Sequence, residues 1–193
     1  MAREPEELDK EVPLEKKIED LYKLVEGIEI AMFTTRRPDG QLVTRPMATQ
    51  EREPGTDLWF VTDIGSDKME DISRDPHVSL AYYNVKTYEW VSVSGTVTVS
   101  QDRELIRQLY KPDWKAWFGD EGGSRDGGPN DPRLALLLVD ATSVLYGKKN
   151  KWKPLALFEV VRGMITGKEP DVSDVRLVSD QELRRATDSE ASR

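Results

Sequence analysis

Four side chains that can bind an anion occur in one short part of the chain. Arg45 lies in a strand-like run and Thr62 ends the next one, while Ser66 and Lys68 stand where a helix-like segment begins. A helix N-terminus exposes unpaired N–H groups with a partial positive charge, so a hydroxyl and an ammonium beside it could cradle a phosphate. Arg45 could add a forked two-donor contact. The spacing alone favours a plainer alternative, namely a helix cap, a solvated lysine and a surface arginine.

Pro46 is unusual within a strand-like run. Proline has no N–H to donate to a neighbouring strand, so it belongs at a sheet edge or a bulge. Neighbouring backbone groups are then free to contact a flat heteroaromatic ligand, although an edge strand protected against aggregation is the plainer interpretation. Tryptophan rings could stack on such a ligand, but each one taken singly is more typical of a core or an interface. The tryptophans considered are Trp90, Trp114, Trp117 and Trp152.

Other conventional catalytic groups are scarce. The chain has no cysteine, which excludes disulfides, cysteine-ligated iron–sulfur clusters and thiol catalysis. It has one histidine, His77, so one chain cannot build a multi-histidine zinc site. His77 has no partner at a telling spacing and is interpreted as structural or exposed. The sequence therefore predicts no metal site, and it assigns no catalytic residue.

The composition limits the partners and the compartment. The net charge is -8, from 28 basic and 36 acidic side chains, which argues against nonspecific binding to nucleic acid or to an anionic membrane. No apolar run approaches the about 18 residues that span a membrane. The first residues are acidic and lack the apolar core of a signal peptide. The sequence predicts a cytoplasmic protein.

The elements that must position these side chains are mostly strands. Short turns join most neighbouring runs, which favours antiparallel pairing, and Gly95 suggests a bulge. We expect a mainly β (α+β) fold, a six-stranded antiparallel split β-barrel with peripheral helices, because closing the sheet protects its edges. A β-sandwich is the alternative. The predicted strands are 28–36, 41–50, 57–62, 77–83, 88–100 and 134–145, and the predicted helices are 12–25, 67–74, 102–110, 114–118 and 154–165.

The domain organisation follows from the same patterns. Residues 1–11 are predicted to be a disordered acidic arm, and residues 12–150 the barrel. Residues 151–168 are predicted to be a C-terminal helical extension, and residues 169–193 a polar, partly disordered tail. The glycine-rich segment 119–132 is predicted to be a mobile loop.

The chain resembles the general stress protein branch of the pyridoxamine 5'-phosphate oxidase-like superfamily, whose members are FMN-binding split β-barrels. The similarity covers roughly residues 14–147, and no single motif decides it. The motifs are AMFTT at 31–35, RPMA at 45–48, LWFVTD at 58–63, SDK at 66–68, DPHVSL at 75–80, YEWVSVSG at 88–95 and KAWF at 115–118.

The resemblance implies a homodimer with FMN, or alternatively FAD, at the subunit interface. By position, the strand segment 45–50 lines the flavin, with Val61 and Thr62 beside it. The SDK motif holds the phosphate, and Trp90 lies near the ring. Trp114 and Trp117 would close the pocket from the second subunit. The implied cofactor-binding residues are Arg45, Pro46, Met47, Ala48, Thr49, Gln50, Val61, Thr62, Ser66, Asp67, Lys68, Trp90, Trp114 and Trp117.

The implied activity is flavin-dependent oxidoreduction, with NAD(P)H or a small organic molecule as donor. Pyridoxamine-phosphate oxidases carry an Arg-x-x-Ser-Gln segment and a C-terminal Trp and Arg pair that grip the substrate. This chain reads LYKPDW at 109–114 instead and has no clear counterpart of that pair, which argues against oxidation of pyridoxine phosphate. Two alternatives stay open: a flavin store or sensor without turnover, and a split barrel that binds a deazaflavin or haem.

Overall fold

The structure is a computed structural model that describes residues 12–53, 56–149 and 173–191. Seven strands and five α-helices lie within these residues. The strands are β1 (Ile30–Arg36), β2 (Leu42–Ala48), β3 (Leu58–Asp63), β4 (His77–Tyr83), β5 (Trp90–Ser100), β6 (Leu134–Lys149) and β7 (Ser173–Ser179). The helices are α1 (Leu14–Ile28), α2 (Lys68–Arg74), α3 (Arg103–Leu109), α4 (Lys115–Phe118) and α5 (Asp180–Ala191), with a 3₁₀ turn at Pro112–Trp114 before α4.

All seven strands belong to one antiparallel sheet, in the order β2-β1-β4-β5-β6-β3, with β7 also paired to β6. The long strand β6 makes this possible, because its first part pairs with β3 and its last part with β7. The end strands β2 and β3 approach each other without forming a ladder. Just beyond β2, the Gln50 N–H donates to the Trp59 carbonyl at 3.0 Å. The sheet is therefore an unclosed, split barrel, as expected, and its split lies between β2 and β3.

Alternating side chains of the strands fill the barrel interior. In β1, Ala31 and Phe33 point inward and are fully buried, and the Phe33 ring meets the Phe60 ring edge-on at 5.3 Å. Helix α1 packs a buried stripe against the same core, including Leu21 and Val25. The period-2 and helical patterns of the sequence thus specify which faces are buried.

Gly95 marks the irregularity in β5 that the sequence predicts. The register between β5 and β6 shifts between Ser94 and Gly95. A Cβ atom on Gly95 would lie 2.3 Å from the Asp140 carbonyl oxygen. Only glycine permits this close approach of two strands, and the bulge bends β5 where the sheet curves.

The C-terminal part of the chain differs from the prediction of a polar, partly disordered tail. Residues 173–191 form β7 and α5. Val178 and Leu183 are buried, and the Lys17 ammonium donates to a Glu182 carboxylate oxygen at 2.9 Å. The polar composition hid these elements, because their order depends on the free edge of β6 and on α1, both distant in sequence.

The ends of the other helices and strands differ less from those predicted from the sequence. Helix α1 continues past the predicted stop near Gly27, to Ile28. The predicted arm 1–11 and the predicted helix 154–165 lie outside the described residues, so the domain boundaries stay predictions. Across the three described ranges, no helix has both the length and the apolar character needed to cross a membrane.

Candidate functional site

A cavity of about 370 Å³ lies at the split of the barrel, between β2, β3 and the segment that contains α4. Its size is in the range of small-molecule and cofactor pockets. Ten of the fourteen residues implied by the resemblance line it. The lining residues are Ile30, Arg45, Pro46, Met47, Ala48, Gln50, Val61, Thr62, Asp63, Lys68, Asp113, Trp114, Trp117 and Phe118.

One end of the cavity is built around the Lys68 ammonium. Its Nζ donates to Thr62 Oγ1 at 2.8 Å and to Ser66 Oγ at 2.9 Å. Burial, and secondly the nearby charge of Arg45, lower the pKa of Lys68 below its ordinary value. Among the residues that the structure describes, no carboxylate pairs with this ammonium. The Asp63 and Asp67 carboxylates favour the charged form only from a distance, so two hydroxyls and an ammonium without a direct ion pair make this end suitable for an anion.

Ser66 contributes to this end in a way that differs from the expected helix cap. Asp67 occupies the N-cap position of α2, and no side chain caps the helix there. The Ser66 hydroxyl lies beside Lys68 instead, while the Ser66 carbonyl accepts the Met69 N–H at 2.9 Å. Because α2 is one short helix of seven residues, the side chains rather than its dipole create the positive potential.

Arg45 is a structured side chain and not a free surface charge. Its Nη2 donates to Asp71 Oδ2 at 3.1 Å and its Nη1 to Thr35 Oγ1 at 2.7 Å, and Thr35 in turn donates to the same carboxylate oxygen. Asp71 and Thr35 are buried. They orient the guanidinium, which keeps further N–H donors for a ligand in the cavity. Pro46 follows on β2, an end strand of the sheet, as its missing N–H predicts.

Aromatic side chains form the other wall. Trp114 is buried, packs edge-on against Trp59 at 6.1 Å, and donates from Nε1 to Gln50 Oε1 at 3.1 Å. Trp117 is 84% exposed although it lines the cavity. Both tryptophans border the cavity of their own chain. Their contact with the pocket of a second subunit, which the resemblance implied, stays a prediction.

Four implied residues do not line the cavity. Ser66 and Asp67 lie directly beside it, next to Lys68. Thr49 points to the core, where its hydroxyl bonds the Tyr82 hydroxyl at 2.9 Å. Trp90 stands at the start of β5 against Gly147, where a Cβ atom would come within 2.4 Å of the indole nitrogen. Within one chain, Trp90 is not brought to this site.

Four lining residues were not predicted from the sequence: Ile30, Asp63, Asp113 and Phe118. Helical spacing could have indicated two of them. Asp113 is four residues before Trp117, and Phe118 is four residues after Trp114, so each shares a helix face with a predicted residue. Ile30 carries no such signal, because its place depends on how β1 pairs with β2.

Comparisons with known proteins agree with this fold. Protein bli-3 of Neurospora crassa is 41% identical over 180 residues, which are 92% of this chain and 86% of that protein. A structure provisionally assigned as general stress protein 26 from Jannaschia sp. CCS1 has a TM-score of 0.65 and 23% identity, covering 86% of this chain and 99% of the other.

A second structure has a TM-score of 0.56 and 19% identity, covering 71% of this chain and 85% of its own: a pyridoxamine 5'-phosphate oxidase-related, FMN binding protein from Nostoc punctiforme PCC 73102. Both structures share the split-barrel fold. The model of the family described as pyridoxamine 5'-phosphate oxidase like matches residues 16–171. With its split barrel and the cavity at the split, the chain belongs to the pyridoxamine 5'-phosphate oxidase-like family.

Proposed function

We propose that this protein binds FMN in the cavity at the split of the barrel. The observation that carries the proposal is the Lys68 ammonium, which is held by two hydroxyls, forms no direct ion pair with the residues that the structure describes, and lies close to a second cation, Arg45. The charge of Arg45 disfavours the ammonium even though Asp71 pairs with that guanidinium, and a dianionic phosphate would favour both cations. An FMN-binding relative with the same fold supports the choice of ligand.

The rest of the cavity suits a flat ring. Met47 and Val61 supply apolar surface, and β2 offers backbone groups beside Pro46. Gln50 is held by Trp114, so its side chain has a defined position at the ring edge. A planar heteroaromatic group between a strand backbone and aromatic side chains gains both burial and stacking.

When bound, flavin supplies reversible transfer of hydride or electrons, and the protein supplies position and electrostatics. The side chains of this cavity bind the phosphate, orient the ring and shield one face from water. None of these tasks needs a side-chain acid or base. The proposed activity is therefore flavin-dependent oxidoreduction, with NAD(P)H or a small organic molecule as donor.

The proposal includes a homodimer with the flavin near the subunit interface. Apolar side chains project from the outer face of β1, β2 and β4, where Ile30, Met32, Leu42 and Tyr83 are each between 44% and 64% exposed. Ile30 belongs both to this face and to the cavity lining. A second subunit on this face would therefore cover the apolar patch and extend the wall of the site.

The phosphate contact can be tested by comparing FMN with riboflavin, which has the same ring and no phosphate. Lys68→Met should weaken FMN binding by about 1.5–3 kcal/mol and leave riboflavin binding unchanged, because it removes one charge-assisted contact. Titration of the apoprotein by flavin fluorescence measures both affinities. Lys23→Met, at an exposed lysine of α1, is the matched control. Equal FMN affinity in wild type and Lys68→Met would remove the phosphate site.

The ligand and its use need two further measurements on the same protein. The absorption spectrum of the purified protein distinguishes flavin from deazaflavin or haem, and the released cofactor distinguishes FMN from FAD. Anaerobic addition of NADH or NADPH then separates the two functional classes. Bleaching of the flavin band supports an oxidoreductase, whereas a flavin that no donor reduces supports a store or sensor.

A further inference from the structure

We infer that Arg133 is a positioning residue, which sets the aromatic wall of the cavity relative to its anion-binding end. The inference rests on the proposed function, since the wall matters only if the cavity holds a ring. Arg133 does not line the cavity, and no motif in the sequence points to it. Its contacts nevertheless connect the two sides of the site.

Helix α4, which carries the aromatic wall, is not stable by itself. Helix α4 is four residues long, far below the length at which a helix is stable in isolation. Trp117 on this helix is 84% exposed, so packing does not fix it. The helix must therefore be held at its ends. Trp114 holds the N-terminal end, because it is buried and bonded to Gln50.

Arg133 holds the C-terminal end. Its Nη1 donates to the Phe118 carbonyl at 2.7 Å, and its Nη2 donates to the Gly119 carbonyl at 3.0 Å. These carbonyls end α4 and have no partner within the helix. The guanidinium also reaches the Glu121 carboxylate at 2.7 Å and the Arg125 carbonyl at 3.2 Å. One side chain thus binds both the end of α4 and the loop that follows it.

A buried partner keeps this guanidinium in place. Arg133 is only 5% exposed, and the Asp131 carboxylate beside it is fully buried. Both Asp131 oxygens accept from Arg133, and Oδ2 also accepts the Gly127 N–H at 2.8 Å. A buried pair that uses nearly all its donors and acceptors is rigid, since any rotation would leave a charge unsatisfied.

The backbone of Arg133 is tied to the opposite side of the cavity. Its carbonyl accepts the Ile64 N–H at 2.8 Å, directly after β3. Thr62 and Asp63 of β3 line the cavity, and Thr62 accepts from Lys68 at the anion-binding end. One residue therefore joins the strand that carries the phosphate contacts to the helix that carries Trp117 and Phe118. The position of Arg133 therefore determines the distance between β3 and α4 across the cavity.

The test compares two variants of the full-length protein. Arg133→Lys keeps the charge beside Asp131 but loses the forked donors to the Phe118 and Gly119 carbonyls. The control is Arg103→Gln, because Arg103 donates to the Asp131 and Leu134 carbonyls on either side of Arg133, each at 2.9 Å, and not to α4. Stopped-flow dissociation is measured for FMN and for riboflavin, together with the fluorescence of the bound flavin.

We expect Arg133→Lys to speed dissociation of both flavins by about the same factor, roughly tenfold, because the ring contact is loosened and the phosphate contact is not. Quenching of the bound flavin by Trp117 should also weaken. Arg103→Gln should change neither. If Arg133 had only a structural role, Arg133→Lys, like Arg103→Gln, would lower the thermal midpoint without changing the flavin emission. That result would overturn the positioning role.

A double variant tests the same role without leaving a buried charge that could prevent folding. Arg133→Gln combined with Asp131→Asn removes both charges and leaves no buried carboxylate unpaired, and the same loss of quenching is expected. Wild-type dissociation rates and emission in folded variants would overturn the positioning role while the flavin site stands. A wild-type protein that binds neither FMN nor riboflavin would overturn the proposed function itself, and the inference with it.

Discussion

Lys68 is a partly buried ammonium whose bonded neighbours are hydroxyls. Burial and the charge of Arg45 lower its pKa below the ordinary 10.5. FMN phosphate should bind the protonated form, so its affinity should fall as pH rises through this lowered pKa, by at most about tenfold per pH unit. The loss should begin below the pH expected for an exposed lysine. Titrations of FMN between pH 7 and 10.5 measure it.

Two controls isolate the lysine in this pH series. Lys68→Arg keeps a charge that does not titrate in this range, so its FMN affinity should decline less. Riboflavin reports the titration of the ring itself. If wild type and Lys68→Arg gave the same profile, the ammonium would not be the group that recognises the phosphate.

At this scale, the sequence predicted residue types better than partners. Thr62, Ser66 and Lys68 are close in sequence, so a strand end and a helix start bring them together with little help from the rest of the fold. Arg45 and Asp71 are 26 residues apart, and their pairing depends on where α2 lies against β1. The link from Arg133 to α4 could not be predicted because the acceptors there are backbone carbonyls, which carry no residue-type signal.

Among the elements, β5 depends on glycine at its bulge. Gly95→Ala should lower the free energy of unfolding by about 1–3 kcal/mol, because the new methyl group would meet the Asp140 carbonyl and the backbone must move. Gly27→Ala in α1 is the matched control, since nothing lies within 4 Å of its Cβ position. That change should add roughly 0.5–1 kcal/mol. Urea unfolding measures both, and equal stabilities would contradict the tight approach at Gly95.

The elements that the sequence predicted and those that it missed differ in how local their causes are. The β1–β2 hairpin and β5 were predicted because each has its own alternation and turn residues. Strand β7 was missed because its order comes from the long strand β6, which extends past the residues that pair with β3 and offers a free edge there. Helix α5 was missed since its buried contact, Leu183, depends on the core cluster that α1 completes.

For the whole molecule, the exposed apolar face of β1, β2 and β4 predicts a dimer. Light scattering of the wild type should give about twice the chain mass of 22.0 kDa. Met32→Glu should shift the protein toward monomer, because it places a charge in the middle of the proposed interface. Lys23→Glu, at an exposed position of α1, should leave the dimer intact. A wild-type monomer that binds flavin at full occupancy would show that one chain completes the site.

The contact between α1 and α5 also has a consequence for the order in which the chain folds during synthesis. Lys17 and Glu182 are 165 residues apart, and the Lys17 carbonyl accepts the hydroxyl of Tyr146, 129 residues away. During synthesis, α1 emerges before the elements that it packs against: β4 and β5 come earlier, and β6, β7 and α5 come last. The β1–β2 hairpin can form early, but the apolar stripe of α1 is fully covered only after α5 has been made. Until then the stripe is open to a chaperone, or to a second nascent chain.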